Sequence, residues 1–269
     1  MKTEDTARLD RPEMTFYKNT YKNSPKWNGK RLGKKKIIIY CEQGIGDTIQ
    51  FIRYINYIGG HIIVACDPRL HSLIKTMPAV REVIDKYDGN LPPHDCHILS
   101  LSLPFVLDKV VCAVPYLSVE PFPDIPDGFK IGISWEGNPS YEHNLTRSCP
   151  LAKFKCLKDT LYMLQDKLYT PEFIAGCEEM DLSGYPLNDF MDTARLIASM
   201  DRVISVDTSV LHLAGALGKK AYGILSHHYD ERWNVYKWYP SVLLIRQDSP
   251  GDWDSVFTKL LLLQEKGKF

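Results

Sequence analysis

From Lys35 onward, short apolar runs alternate with amphipathic stretches, whereas residues 1–34 are mostly polar. In that first stretch Tyr17, Tyr21, Pro25 and Trp27 are interspersed without a sustained period of 2 or 3.6, which predicts an extended arm. KKIIIYC then reads as a buried parallel strand, since its β-branched residues run together instead of alternating with polar ones. The turn EQGIGD follows, and Ile45, Ile49 and Ile52 mark one face of a helix. Gly59 and Gly60 break the chain, HIIVAC predicts a second strand, and DPRLHSLIKTM predicts a helix that Asp67 can cap.

Between Asp88 and Pro126 prolines are frequent and apolar runs are short, as in CHILSLSLPF, so short or irregular elements are expected there. Within EPFPDIPDG, residues 120–128, three prolines and acidic residues suggest a linker. FKIGISW opens a second series of elements. It continues with a strand at LYML, a helix at MDTARLIASM, the strand RVISV, the turn DTS and the helix VLHLAGAL. AYGIL and VLLIR then give strands, and WDSVFTKLLLLQE a closing helix. Strands alternating with helices in both halves predict two parallel α/β sheets. The expected division is an arm at 1–34, a first domain at 35–125 and a second at 126–269, with the final helix a candidate to pack back on the first. No repeat of 20–50 residues is visible, which argues against a solenoid.

Composition narrows the function classes. With 33 Lys+Arg against 33 Asp+Glu in 269 residues there is no overall basic field, and nucleic acid is not an expected partner. The local basic run NGKRLGKKK reads as a solvated face. Seven scattered cysteines with no C-x-x-C pair look like reduced thiols of a cytoplasmic protein. The charged start MKTEDTARLDRPEM has no secretory core, and no apolar run approaches the roughly 20 residues that span a bilayer, so a soluble protein without a transmembrane segment is expected.

Three loops could carry chemistry. In Glu42-Gln43-Gly44-Ile45-Gly46-Asp47, Gly44 and Gly46 permit a tight turn and close backbone approach at a helix start that favours anions. A plain strand-to-helix turn with Asp47 facing the helix dipole accounts for the same residues. In Trp135-Glu136-Gly137-Asn138-Pro139 and the polar stretch after it, Trp135, Asn138 and Arg147 are candidates, Arg147 offering a phosphate fork. A surface loop would be equally polar. The third loop, Asp207-Thr208-Ser209 leading to His212, follows RVISV at its expected carboxyl end, where open α/β sheets bind ligands. Helix N–H groups, two hydroxyls and an imidazole would converge on one anion there. The competing account has Asp207 or Thr208 merely capping the helix.

EQGIGDTIQFIRY, WEGNP with its following Arg-Ser, DTARLIASMDRVISVDTSVLHLAGALG and WYPSVLLIRQDSPGDWDSV together resemble glycosyltransferase family 9, the heptosyltransferase-like enzymes, especially the branch often found behind tetratricopeptide repeats. The resemblance runs roughly from Pro25 to Val256. It implies the GT-B fold, α/β, with two Rossmann-like domains facing across a cleft and the donor held mainly by the second. It also implies Asp47 as general base toward the acceptor hydroxyl, Thr208, Ser209 and His212 as a diphosphate cradle, and Arg147 on the donor phosphates.

Inverting transfer needs a base near the acceptor oxygen and stabilisation of the departing diphosphate, which a helix N-terminus with Arg and His supplies without a metal. The expected reaction moves a heptose or hexose from a nucleotide-diphosphate sugar, an ADP-sugar being favoured, to a glycan, lipid-linked or protein hydroxyl, with no further cofactor. A nucleotide-sugar-binding module without catalysis, or a GT-B nucleotide-sugar epimerase, would need the same donor site. Asp252 and Asp254 open the last helix and read as caps. His227 and His228 read as exposed neighbours that point apart, and Trp233, Trp238 and Tyr239 as core packing or a stacking surface for a base or sugar.

Overall fold

A computed structural model describes residues 8–157, 159–165, 171–174, 182–235 and 237–267. Cys177 lies outside the described residues. The chain divides into two compact units, residues 1–111 and 112–269.

The first unit holds a four-stranded, wholly parallel sheet of β1 (Lys36–Tyr40), β2 (His61–Cys66), β3 (Val80–Asp85) and β4 (Cys96–Leu99), in the order β3-β2-β1-β4. Ile37, Ile38 and Ile39 are all fully buried, so both faces of β1 are covered, as the uninterrupted apolar run required. The edge strand β3 escapes the sequence pattern because VREVID is charged and only half-buried, as edge strands tend to be. The helix expected after Asp67 is a short turn, Pro68–Leu70, running into His71–Ile74. Asp67 Oδ1 accepts from Arg69 N at 3.0 Å, and Pro78 ends any continuation.

The expected extended arm is instead partly helical. Pro12–Met14 and Thr15–Tyr21 form consecutive turns, and Met14, Tyr17 and Tyr21, spaced i, i+3, i+7, bury one stripe against Ile38, Tyr40, Ile63, Ala65 and Leu99. Tyr17 lies 4.9 Å from the Tyr40 ring and Tyr21 4.8 Å from the His97 ring. The stripe is carried by tyrosines in a seven-residue helix, too short for a period to stand out.

The second unit has six parallel strands: β5 (Lys130–Ser134), β6 (Thr160–Met163), β7 (Leu182–Ser183), β8 (Arg202–Val206), β9 (Ala221–Leu225) and β10 (Val242–Arg246). Their order, β10-β9-β8-β5-β6-β7, is the six-strand order of a dinucleotide-binding sheet read from the other edge. The helices Phe190–Ser199 and Ser209–Ala216 flank β8 in sequence. In the closing helix, Trp253–Glu265, the residues Trp253, Val256, Phe257 and Leu260 join Phe154, Ile133, Ile204 and Ile224 in the second unit's core.

The division between units falls after Val111, upstream of the expected linker. The intervening stretch is tied to the second unit, since Tyr116 N donates to Ala216 O at 3.0 Å and Phe122 N to Ser199 Oγ at 3.0 Å. Among the described residues no helix is long and apolar enough to cross a membrane.

His97 is buried with Nδ1 3.0 Å from Ser24 Oγ; burial first, then the charges of His94 and Lys26, lowers its pKa from 6.5 to about 4. The unfolded chain therefore binds more protons between those values, and stability present above about 6.5 is lost as pH falls toward 4. Urea midpoints measured across that window should fall with pH in the wild type, and fall less in His97→Asn; identical profiles would contradict this role for His97.

Candidate functional site

In the second unit β5 and β8 are neighbours, yet β5 leads on to β6 and β8 to β9 on opposite sides of the pair. Right-handed crossovers then carry the following segments to opposite faces, which opens a crevice at the carboxyl ends of these two strands. Two of the three candidate loops lie at those ends.

The loop after β5 is fastened by Gln165, whose Oε1 accepts from Ser134 Oγ, Trp135 N and Glu136 N at 3.1, 2.9 and 3.2 Å. Trp135 is fully buried in the core cluster, so its ring anchors the loop. Asn138 is exposed and spends Oδ1 on Ser140 N at 3.0 Å, holding its own turn. Arg147 ends the short turn Asn144–Arg147 and reaches the third loop: Nη1 donates to Asp207 O at 3.1 Å, and Nε to Asn144 Oδ1 at 3.4 Å. Its guanidinium lies 4.6 Å from the centre of the Tyr141 ring. Burial lowers the Arg147 pKa, although a guanidinium stays charged at neutral pH. Glu136 is buried and accepts from Asn144 Nδ2 at 3.5 Å. The position of Gly137 explains how the fork fits, because a Cβ there would collide with the Arg147 guanidinium.

At the end of β8, Thr208 is extended and begins the Ser209–Ala216 helix without giving it a side-chain cap. Its hydroxyl instead pairs with Ser205 Oγ at 3.2 Å. Simple capping by Thr208 is thereby replaced by a helix start whose donors face the crevice end of the sheet. His212, in the first turn, is buried; Nδ1 lies 2.9 Å from Tyr239 Oη, and the ring stacks on Trp233 at 5.0 Å and 20°. Asp207 is half-buried, and burial raises its pKa against a hydrogen bond from Trp233 and the charges of Arg147 and Arg232. Burial also pushes Asp230 up, but hydrogen bonds and charge from Arg232, 2.6 Å away, carry it below its ordinary value. Gly215 has a second fitted role: a Cβ there would strike the Tyr239 ring close to its own Cβ.

The first candidate loop belongs to the first unit, at the carboxyl end of β1. The strained residue is Gln43, with φ +65°, whereas Gly44 has an ordinary extended conformation. Gly46 lies in the first turn of the helix Ile45–Ile52. Asp47, half-buried, accepts Gly44 N at 3.2 Å. Lys86 Nζ donates to Gln43 O at 3.2 Å. Beside it Glu42 is buried, bound by Arg8 Nη1 at 2.9 Å, Ser100 Oγ at 3.0 Å and Leu101 N at 3.3 Å, and burial pushes its pKa up to about 7.

Asp252 caps the last helix through Ser255 N at 3.0 Å, and Asp254 pairs with Lys153 at 2.6 Å. His227 and His228 are exposed, with ring planes 89° apart. Among the described residues no three His, Cys, Asp or Glu side chains gather as a metal would need.

Residues 167–250 match the family model of glycosyltransferase family 9 (heptosyltransferase), a stretch that contains Asp207, Thr208, Ser209 and His212. This chain resembles family 9. Asp47 and Arg147 lie outside the matched stretch. Among curated proteins, Protein FlbA of Caulobacter vibrioides is 24% identical over 277 residues, covering 85% of this chain and 46% of that protein, so the chain spans less than half of the relative's length.

Three solved structures share the fold at low identity. A family 9 glycosyl transferase from Veillonella parvula has TM-score 0.60 and 10% identity, over 90% of this chain and 92% of its own. The E. coli ADP-heptose lipopolysaccharide heptosyltransferase II has TM-score 0.55 and 13% identity, over 86% and 99%. The E. coli heptosyltransferase WaaC, solved with ADP-2-deoxy-2-fluoro heptose, has TM-score 0.56 and 12% identity, over 86% and 99%. The likeness is one of fold: the chain's two parallel α/β units match the GT-B fold of these structures.

The two fitted glycines make contrasting expectations. An alanine ordinarily gains about 1 kcal/mol over glycine in a helix, but Gly215→Ala should lose about 1–3 kcal/mol because the rigid base of Tyr239 cannot yield. Gly137→Ala should leave stability nearly unchanged, since only the flexible end of Arg147 must move. Denaturant titrations of both variants check this; a stabilised Gly215→Ala would refute the fitted contact.

Proposed function

We propose that this chain is a cytoplasmic glycosyltransferase that moves a heptose or hexose, with inversion and without a metal, from a nucleotide-diphosphate sugar to a hydroxyl of a glycan, lipid-linked or protein acceptor. The second unit binds the donor, and the first serves the acceptor. One observation carries the reading. Arg147, fixed to the carbonyl of Asp207, places a guanidinium beside the uncapped start of the Ser209–Ala216 helix, with Thr208, Ser209 and His212 on the same turn. A cation, a helix dipole, hydroxyls and an imidazole at one point suit a diphosphate, both as ligand and as leaving group. Family 9 likeness over residues 167–250 supports glycosyl transfer, and the nucleotide sugar held by WaaC supports an ADP-sugar as donor.

In this reading Thr208, Ser209, His212 and Arg147 hold the phosphates. Gly44 and Gly46 let the first loop approach the substrate, and Asp47 takes the acceptor proton. Asp47 already accepts the Gly44 N–H, an arrangement a non-catalytic binding module could equally keep. Asp47→Asn discriminates: transfer should fall by about a hundredfold or more while donor affinity stays within about twofold. Unchanged turnover would rule out Asp47 as base.

Donor binding is tested by calorimetric titration of ADP, GDP, UDP and their sugar conjugates without added metal. Binding of one diphosphate, weakened by about tenfold in His212→Ala, is the expected result. Binding of none would remove the basis for transferase activity.

A further inference from the structure

Two aromatic side chains bracket the His212 imidazole. Trp233 lies almost parallel to it, with centroids 5.0 Å apart at 20°, and Tyr239 meets it edge-on at 64° with its hydroxyl 2.9 Å from Nδ1. The same Trp233 hydrogen-bonds the Asp207 carboxyl. One indole therefore touches both sides of the turn that starts the Ser209–Ala216 helix. Relative exposures of 7% for Trp233, 3% for Tyr239 and 8% for His212 leave neither aromatic an open face on which a base or sugar could stack. The helix concedes a side chain at Gly215 to admit the Tyr239 ring.

A neutral imidazole carries one N–H, and the partner of one nitrogen decides whether the other donates. A tyrosine hydroxyl donating to Nδ1 leaves the proton on Nε2. A ring stacked on a buried indole and bonded at one nitrogen has lost most of its rotamer freedom before any ligand arrives, which reduces the entropy cost of binding.

We propose that Tyr239 and Trp233 are positioning residues for His212, with Tyr239 setting the tautomer and Trp233 the ring plane, so that the imidazole donates to a nucleoside diphosphate at this helix start. The inference rests on the donor-site reading above. Neither aromatic touches the ligand; both act through His212, and Trp233 also through Asp207.

The test is a double-mutant cycle on the full chain, with ADP, GDP and UDP titrated into wild type, Tyr239→Phe, His212→Ala and the double variant. Tyr239→Phe should weaken the bound diphosphate by about three- to tenfold at nearly unchanged melting temperature. In the His212→Ala background it should have no further effect. In protein carrying ¹⁵N-histidine, the His212 imidazole signals, assigned by their loss in His212→Ala, should shift in Tyr239→Phe as the tautomer balance changes. Trp233→Leu, which removes the stacking face and the indole N–H, should lose less in the His212→Ala background than in wild type, the remainder passing through Asp207, and serves if Tyr239→Phe folds poorly. An equal loss in both backgrounds, or unchanged imidazole signals, overturns the proposal. Wild type that binds no diphosphate overturns the donor site itself; wild type that binds, with His212→Ala weakened and Tyr239→Phe unaffected, overturns this inference alone.

Discussion

Parallel pairing of β5 with β8 places two strand ends side by side while sending the chain away from them in opposite directions, and the second unit's chemistry follows from that geometry. Loops that share no neighbourhood in sequence are brought within one hydrogen bond of each other, from Arg147 Nη1 to Asp207 O. Each loop is then held from below. Gln165 gathers three donors under the first, and the Ser205–Thr208 hydroxyl pair steadies the second. Such rigid seating suits the proposed donor site, because electrostatic stabilisation of a leaving diphosphate depends on donors that need not reorganise during reaction.

The balance of charge at the site is also set by burial. Asp207 sits at the mouth of a turn that would otherwise attract anions, and burial favours its neutral form while Trp233, Arg147 and Arg232 oppose that shift. Arg232 is largely committed to Asp230, 2.6 Å away. Among the described residues Arg147 bonds a carbonyl and an amide oxygen, so its charge is only partly screened, as the proposed diphosphate site requires.

Most strands were readable because their apolar runs are continuous, as in IIIY, HIIVAC and RVISV, and the two buried sheets follow from them. Asp207, Thr208, Ser209 and His212 stand out in the sequence as a candidate group because they are consecutive or one turn apart at a strand end, and the structure places them there. The charged edge strand β3 and the tyrosine-carried helix Thr15–Tyr21 were not, since neither shows the aliphatic periodicity on which such reading relies. Trp135 illustrates another limit: only three-dimensional packing shows its ring enclosed. Gln165, Asn144 and Glu136 act through partners 3 to 31 positions away, and no local pattern marks them. Gly137 and Gly215 are similar, because the side chains they admit come from elsewhere in the chain.

The helix Thr15–Tyr21 lies over Ile38, Tyr40, Ile63 and Leu99, and Arg8, just upstream, is clamped to Glu42 and Ser102 at the carboxyl end of the same sheet. A fragment trimmed to the first strand would lose this cover. It would present a broad aromatic and aliphatic surface to water, and its buried Glu42 would lose its cationic partner. Such a surface favours self-association over a well-behaved monomer, so recombinant versions of the first unit should keep the chain upstream of β1 as a structural part of the sheet and not treat it as a removable leader.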